Sequence, residues 1–256
     1  MTRKPRLGVF KFSSCDGCQL TMLDCEDELL AIAGAIDIAY FPEATRKDDI
    51  GHYDIAMVEG SVTTPHEAEM IKDIRARATT LVTLGACATA GGIQALKNGA
   101  DTAAFVDAVY AHPEFIDTLD TATPIKDHVT VDAELRGCPI SKHQMVELVA
   151  AVLAGRKPQT PSHATCIECK LAGHICVMVA GGKPCLGPVT HAGCGALCPG
   201  YARGCYGCFG PKGTTNTASL SQRLADLGAS PREIQRLYST FNTNAPAFRE
   251  EAKAHE

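Results

Sequence analysis

Cysteine is the residue whose number and spacing point most clearly to chemistry. The 256-residue chain contains 13 cysteines and no tryptophan. Five cysteines are spread through the first 165 residues, whereas eight lie between 166 and 208. So many thiols in a chain of this length indicate either a framework of disulfides or a set of metal sites. The compartment in which the protein folds decides between the two.

The first residues of the chain bear on that choice. MTRKPRLGVFKFSSC contains neither an apolar segment of signal-peptide length nor a twin-arginine pair. The sequence has no run of about 18 apolar residues, so we expect no membrane span. These features predict a cytoplasmic protein, and structural disulfides are rare in that reducing compartment. Metal ligation is therefore the favoured use of the thiols.

Four of the thiols lie in segments that follow predicted strands or precede a predicted helix. Cys15-x2-Cys18 comes directly after the first strand, Cys87 after another, and Cys138 lies in the sequence RGCP before a helix. In a parallel sheet these loops meet at the carboxyl edge. Four sulfur ligands fit zinc or an iron–sulfur cluster, and one close pair with two distant cysteines favours a cluster. A thioredoxin-like pair would explain Cys15 and Cys18 alone.

The other eight thiols have the spacing of two further four-cysteine sites. They are Cys166, Cys169, Cys176 and Cys185, followed by Cys194, Cys198, Cys205 and Cys208. Two tetrahedral zinc ions or two 4Fe–4S clusters would satisfy this number. The many glycines favour clusters, because backbone N–H groups can approach the sulfides closely. Spacing leaves the pairing open, since ferredoxin-type sequences exchange their fourth cysteine between clusters.

The remaining cysteine and the nearby histidines are not predicted to be ligands. Cys25 lies on the predicted helix after Cys18 and is interpreted as a small buried apolar residue. His163, His174 and His191 lie among enough cysteines to make ligation by histidine unnecessary. The net charge of −5 indicates no surface for nucleic acid, and no nucleotide-binding fingerprint is present in the sequence.

The elements that must position the thiols alternate along the first 160 residues. Apolar runs predict strands, and amphipathic patterns predict helices between them; the strands are at 7–12, 36–41, 53–59 and 80–84, and the helices at 19–33, 65–78, 103–111 and 141–155. This alternation predicts an α/β domain with a parallel sheet. The polar, proline-containing segment GRKPQTPS at 155–162 is interpreted as a linker, which divides the chain into 1–160 and 161–256.

The second part has little helical periodicity where its cysteines lie. Residues 163–213 contain no long amphipathic segment, so this part is predicted to need bound metal in order to fold. Two helical patterns follow, and the second begins with Ser230-Pro231-Arg232-Glu233, which has the form of a capping box. The tail AFREEAKAHE at 247–256 is predicted to be frayed.

Taken together, these motifs resemble the small subunit of nickel–iron hydrogenases over about residues 7–210. The residues that carry the resemblance are SSCDGCQL at 13–20, VEGSV at 58–62, LGACATAGGI at 84–93, RGCP at 136–139, PCLGPVT at 184–190 and GCYGC at 204–208. The resemblance implies a flavodoxin-like N-terminal domain, followed by an irregular iron–sulfur cluster domain with short helices. It also implies that the chain is the electron-transfer subunit of an oxidoreductase, with the hydrogen-activating site in a separate large subunit.

The resemblance further implies three 4Fe–4S clusters and their ligands. The proximal set, nearest the nickel–iron centre, is Cys15, Cys18, Cys87 and Cys138. PCLGPVT assigns Cys185 to a distal set with Cys166, Cys169 and Cys176, which leaves a medial set of Cys194, Cys198, Cys205 and Cys208. The carboxyl edge of the sheet, including Glu59, is expected to be buried against the large subunit.

Two departures from the periplasmic, membrane-bound form indicate the type of hydrogenase. Cys166 stands where the distal cluster usually has a histidine, and the medial set, often of three cysteines, here has a possible fourth. The sequence is more similar to cytosolic hydrogenases of the sulfhydrogenase and cofactor-linked bidirectional types. We therefore expect a further electron-acceptor subunit that contains a flavin and NAD(P) or is ferredoxin-like.

Three alternatives compete with this interpretation. A zinc-stabilised protein or a ferredoxin-like redox interaction protein would also account for many cysteines. A quinone-reducing subunit of a respiratory complex shares the N-terminal domain, but such relatives generally end after a single cluster and use an adjacent pair of cysteines. The Cys-x2-Cys pair and the eight later cysteines argue against it.

Overall fold

Five parallel strands form the sheet around which the first half of the chain is built. The computed structural model describes residues 3–256, apart from the side chains at 27, 29, 31 and 33. In chain order the strands are Arg6–Lys11 (β1), Asp37–Tyr40 (β2), Tyr53–Glu59 (β3), Ala78–Leu84 (β4) and Ala133–Leu135 (β5). They lie in the order β2-β1-β3-β4-β5, and every pair is parallel. This is the strand order of flavodoxin-like folds, and the predicted α/β class is confirmed.

Helices cover both faces of the sheet. In chain order they are Gly17–Leu23 (α1), Glu26–Ala35 (α2), Pro65–Arg77 (α3), Gly85–Ala90 (α4), Thr102–Val109 (α5) and Lys142–Leu153 (α6). Helices α1, α2 and α6 pack on one face, and α3 and α4 pack on the other. Helix α3 begins where Thr64 and Glu67 form a capping box and Pro65 occupies the first position.

The predicted helix over 19–33 is wrong, because the structure has two helices there. Helix α1 ends at Leu23, and α2 starts at Glu26, whose φ of +42° cannot be part of a continuous right-handed helix. The break turns the chain so that Cys25 is fully buried. The apolar pattern continues across the break, which is why periodicity alone predicted one helix.

The second half of the chain contains short helices separated by loops. They are Thr165–Leu171 (α7), Val177–Gly181 (α8), Leu197–Gly200 (α9), Thr217–Asp226 (α10), Pro231–Tyr238 (α11) and Pro246–Lys253 (α12). A small core of side chains from α10, α11 and α12 packs on Leu186 and Val189. Among residues 3–256, no helix is long and apolar enough to cross a membrane.

The phenyl ring of Phe209 joins the two halves of the chain. A Cβ built on Gly137 would lie 2.8 Å from Cζ of this ring, and one built on Gly193 would lie 2.6 Å from Cε1. The ring is 4% exposed, so both glycines leave the space that it fills. Next to it, Nη1 of Arg136 donates a hydrogen bond to the carbonyl oxygen of Pro211 at 2.7 Å.

The end of the chain is ordered, so the prediction of a frayed tail is wrong. Residues 246–253 form α12, and its residues Phe248 and Ala252 are buried in the small C-terminal core. The ring of Phe248 packs edge-on against Tyr238, with ring centroids 5.4 Å apart. This packing stabilises a helix whose charged sequence looked solvent-exposed.

We expect Phe248→Ala to lower the free energy of unfolding by about 3–5 kcal/mol, because it leaves a cavity in a small core. Phe115→Ala is the matched control: its side chain is 79% exposed, and its loss should change stability by no more than about 0.5 kcal/mol. Denaturant unfolding of the purified, metal-loaded protein measures both values. Equal, small effects of the two substitutions would mean that α12 is not part of the core.

Candidate metal centres

Cys15, Cys18, Cys87 and Cys138, called the N-terminal set from here on, lie at the carboxyl edge of the sheet. Cys15 lies in the loop after β1, Cys18 in the first turn of α1, Cys87 in α4 directly after β4, and Cys138 in the loop after β5. Cys18 is buried, Cys87 is half-buried, and Cys15 and Cys138 are exposed. The set therefore lies partly inside the protein and partly at its surface.

The charges of these thiols act on one another. Burial raises the pKa of the Cys18 thiol far above its usual range, and the negative charges of Glu59, Cys87 and Cys138 raise it further. Burial raises the pKa of Cys87 to about 11, and the thiolates of Cys138 and Cys15 contribute to this increase. Such interactions weaken with distance, so the four sulfurs form one neighbourhood. Metal binding there must displace protons from the thiols.

Glu59 supports this set from inside the chain. Its carboxylate is 2% exposed and accepts the backbone N–H groups of Cys18 at 3.0 Å and Gln19 at 3.1 Å. These donors belong to the start of α1, where a negative charge is favourable. The sequence motifs predicted a partner interface for Glu59, whereas the structure gives its carboxylate contacts within the chain. The available sequence signal was the position of Glu59 as a charged residue at the end of a largely apolar strand.

Cys166, Cys169, Cys176 and Cys185, called the CIEC set, form a second neighbourhood. Burial raises the pKa of Cys166 to about 11, and the thiolates of the other three members raise it as well. Gly187 lies against two of the sulfurs: a Cβ at this position would be 3.3 Å from Sγ of Cys166 and 3.4 Å from Sγ of Cys185. A side chain at residue 187 would therefore occupy space between the thiols, and glycine leaves that space open.

The sequence predicted a third group of ligands, Cys194, Cys198, Cys205 and Cys208, called the GCYGC set. Burial raises the pKa of Cys208 to about 12, and the thiolates of Cys194 and Cys198 add to the increase. Burial likewise raises the pKa of Cys205 to about 12, with contributions from the thiolates of Cys185 and Cys208. Cys205 thus lies between the CIEC set and the rest of its own set.

The GCYGC set lies next to both of the other sets. The ring of Phe209, the residue after Cys208 in the GCYGC set, packs against Gly137, the residue before Cys138 in the N-terminal set. The backbone N–H of Cys205 in the GCYGC set donates to the sulfur of Cys185 in the CIEC set at 3.2 Å. The GCYGC set therefore contacts both of the others.

Sequence reasoning missed Glu168, which lies between two cysteines of the CIEC set. Its Oε1 accepts the backbone N–H of Gly193 at 2.9 Å. Burial raises the pKa of Cys194, and the negative charge of Glu168 adds to the increase. Glu168 is the one acidic residue between 163 and 213. That exception could have marked it as a residue with a structural role among the cysteines. Of the nearby histidines, His191 is half-buried with Nδ1 2.7 Å from the carbonyl oxygen of Ala192.

The donor chemistry fits iron–sulfur clusters. Each set consists of four thiols, and glycines lie close to the sulfurs in the first two. Gly85 shows this most clearly, because its φ is +78° and a Cβ there would overlap the sulfur of Cys18. Across the described part of the chain, no three Cys, His, Asp or Glu side chains lie together as the ligands of one metal ion do.

Comparison with known proteins identifies the family. Residues 15–152 match the family described as NADH ubiquinone oxidoreductase, 20 kDa subunit. Sulfhydrogenase 2 subunit delta of Pyrococcus furiosus is 36% identical over 236 residues, which cover 92% of this chain and 98% of that protein. The solved structure of an NAD+-reducing nickel–iron hydrogenase is 30% identical, with a TM-score of 0.58, and covers 62% of this chain and 96% of the matched chain. This chain belongs to the nickel–iron hydrogenase small-subunit family.

A further relative agrees with this assignment over most of its length. An iron–sulfur subunit of the F420-non-reducing hydrogenase of Archaeoglobus profundus is 24% identical, and the match covers 88% of this chain and 87% of that protein. The hydrogenase small subunit is thus the electron-transfer subunit of an oxidoreductase complex, as its sequence motifs predicted. The matched family region, 15–152, contains the whole N-terminal set.

The thirteenth cysteine of the hydrogenase small subunit lies apart from the three sets. Cys25 is fully buried in the core between the sheet and α6, and its sulfur lies 3.4 Å from the carbonyl oxygen of Thr21. Cys25→Ala should therefore leave the iron content unchanged and lower the free energy of unfolding by about 1 kcal/mol. An iron assay and denaturant unfolding measure the two effects. A loss of about one third of the iron would instead make Cys25 a ligand.

Proposed function

We propose that the chain relays electrons between the nickel–iron site of a large subunit and an electron-acceptor module, with one 4Fe–4S cluster in each of the three thiol sets. When bound, such clusters take up and release single electrons. The observation that carries the proposal is the placement of Cys15, Cys18, Cys87 and Cys138 at one edge of the sheet, with the eight later thiols next to them in the second half of the chain. The N-terminal set would hold the proximal cluster, the GCYGC set the medial cluster and the CIEC set the distal cluster.

Two contacts support this order of the sets. The GCYGC set contacts the N-terminal set through the ring of Phe209 and is hydrogen-bonded to the CIEC set through Cys205, as expected for a set in the middle. The thiols of each set ligate, the adjacent glycines admit a bulky group, and burial of Cys18, Cys185 and Cys205 keeps water away. Hydrogen bonds and burial of this kind are the means by which a protein adjusts cluster potentials.

The large subunit is proposed to cover the carboxyl edge of the sheet. Cys15 and Cys138 are exposed there, and Leu20 and Ile93 expose 54% and 57% of their surface. Obligate partners bury large apolar areas. We further propose that residues 1–160 and 161–256 are the two domains, and that the complex works in the cytoplasm, where thiols stay reduced.

Iron content tests the number of clusters. Three four-iron clusters predict about twelve iron atoms per chain, with little zinc, in the complex purified with its large subunit without exposure to oxygen. About four irons per chain, with zinc making up the rest, would contradict the clusters in the second half of the chain.

Two single variants test the pairing. Cys176→Ala should perturb the spectroscopic signal of one cluster, and Cys198→Ala that of another, because each thiol lies in a different set. Electron paramagnetic resonance of the partly reduced complex distinguishes the signals, and the Cys25→Ala variant serves as the control. If both variants altered the same signal, the pairing of the eight thiols would be wrong.

A further inference from the structure

The surface that carries the CIEC set exposes an unusual number of large apolar side chains. Leu171, Ile175 and Val179 are 83%, 77% and 78% exposed. The full set, called the CIEC face from here on, is Ile167, Leu171, Ile175, Val179, Leu197 and Tyr201. Clusters of exposed apolar residues rimmed by polar ones mark binding surfaces in soluble proteins.

Local contacts make this face continuous. The ring of His174, next to Ile175, lies against Gly200, next to Tyr201. Nζ of Lys183 donates to the carbonyl oxygen of Ala202 at 2.8 Å. The loops around α8 are thereby held against α9, and Cys176, an exposed member of the CIEC set, lies among them.

The rim of this face is positively charged, although the chain is acidic. The chain has 24 Lys and Arg against 29 Asp and Glu. Between 163 and 213, however, the acidic residue Glu168 turns its Oε1 to the backbone of Gly193 and has its other oxygen buried. Three basic side chains, Lys170, Lys183 and Arg203, are exposed in the same segment.

We propose that the CIEC face docks an acidic electron-transfer protein, one that carries carboxylates around an apolar centre. This proposal rests on the proposed function, because the exposed Cys176 is an exit for electrons only if the CIEC set holds a cluster. Apolar side chains at the centre supply contact area, and the rim charges steer an oppositely charged partner. The positive charge of the rim thus favours partners whose docking surface is negatively charged.

Two other occupants fit the chemistry less well. A second copy of this chain would bring two basic rims together, which costs free energy. An anionic membrane surface attracts clusters of about four to eight basic residues, and this face has three. The following experiment treats both as outcomes that would overturn the proposal.

The test uses the complex with its large subunit and two protein probes of opposite charge. An acidic ferredoxin should bind and should accept electrons from the hydrogen-reduced complex, and its association rate should fall steeply as salt increases. A basic c-type cytochrome should bind far more weakly. Benzyl viologen, a small dye, measures electron delivery that does not depend on protein docking.

Charge reversal and apolar replacement then locate the surface. Arg203→Glu should slow ferredoxin association several-fold at low salt, by about threefold to tenfold, and Leu171→Ser combined with Val179→Ser should weaken ferredoxin binding to a similar extent. Arg232→Glu, on another exposed surface, is the matched control and should leave ferredoxin binding unchanged. Lys183 is left intact, because its contact with Ala202 holds the loops around α8 in place. Reduction of benzyl viologen and iron content should stay at wild-type values in all three variants. Lys170 is left intact, because its charge already acts on Cys166.

The outcomes separate this proposal from the proposed function. Absent iron or absent dye reduction in the unaltered complex would contradict the proposed function itself. Normal iron and dye reduction, with ferredoxin binding indifferent to salt and to both face variants, would overturn the docking proposal alone. Binding to vesicles that contain the anionic lipid phosphatidylserine, or self-association of the complex, would also overturn it if the face variants abolished that binding, in favour of a membrane surface or a second copy.

Discussion

Glu59→Ala is expected to remove the metal centre of the N-terminal set and to lower the free energy of unfolding by about 2–6 kcal/mol. The substitution leaves the buried backbone N–H groups of Cys18 and Gln19 without their acceptor, and each such loss costs about 1–3 kcal/mol. It also releases the start of α1, which holds Cys18 in place. Iron content, cluster spectroscopy and denaturant unfolding of the complex measure the three consequences.

A matched control separates loss of stability from loss of the metal centre. Glu67 also uses its carboxylate to accept two backbone N–H groups, those of Thr63 and Thr64, but it caps α3 and contacts no cysteine. Glu67→Ala should therefore destabilise the protein by a comparable amount and leave about twelve irons in place. If both variants lost the same amount of iron, the effect of Glu59 would be one of general stability and not of support for the thiols.

Gly85→Ala is expected to have an equally large effect on the same set. The new methyl group would overlap the sulfur of Cys18 and would lie 3.2 Å from the carbonyl oxygen of Gly137. Because both neighbours belong to the segments that carry thiols, one of them must move, and we expect about one third of the iron to be lost. The remaining clusters should keep their spectroscopic signals.

Gly155→Ala provides the control for backbone strain. Gly155 has a φ of +64°, similar to the +78° of Gly85, but a Cβ there would have no heavy atom within 4 Å apart from its chain neighbours. Both substitutions incur the cost of a left-handed conformation, about 1–2 kcal/mol. Only Gly85→Ala should alter the iron content. An iron loss in both variants would attribute the effect to strain in general.

The sequence predicted the sheet well, because its strands have a clear local signal. Four apolar runs became β1 to β4, and the segments after β1 and β4 bring Cys15, Cys18 and Cys87 to one edge. Strand β5 escaped prediction, since Ala133–Leu135 has three residues and pairs with β4 alone. Such a short edge strand depends on its neighbour and not on its own residue pattern.

Features that depend on distant contacts were beyond reach from sequence. The residues of α12 are ordered by packing of Phe248 on Tyr238, which no local pattern in a charged segment indicates. The carboxylate of Glu59 accepts a backbone N–H group of α1 because this helix begins next to the end of β3. Residues 18 and 59 become neighbours only when β1 and β3 pair in the folded sheet. The division of the cysteines into three ligand sets rests on their spacing, which is a local signal, and it stays a prediction.

The shared ring of Phe209 has a consequence for how the protein matures in the cell. The ring directly follows Cys208 and needs the surface around Gly137, which forms only once β5 has joined the sheet. The first half of the chain leaves the ribosome earlier and can fold as a unit. The last thiols of the GCYGC set therefore reach their final places only against a completed sheet, so the folding of the two halves of the chain is coupled at this ring.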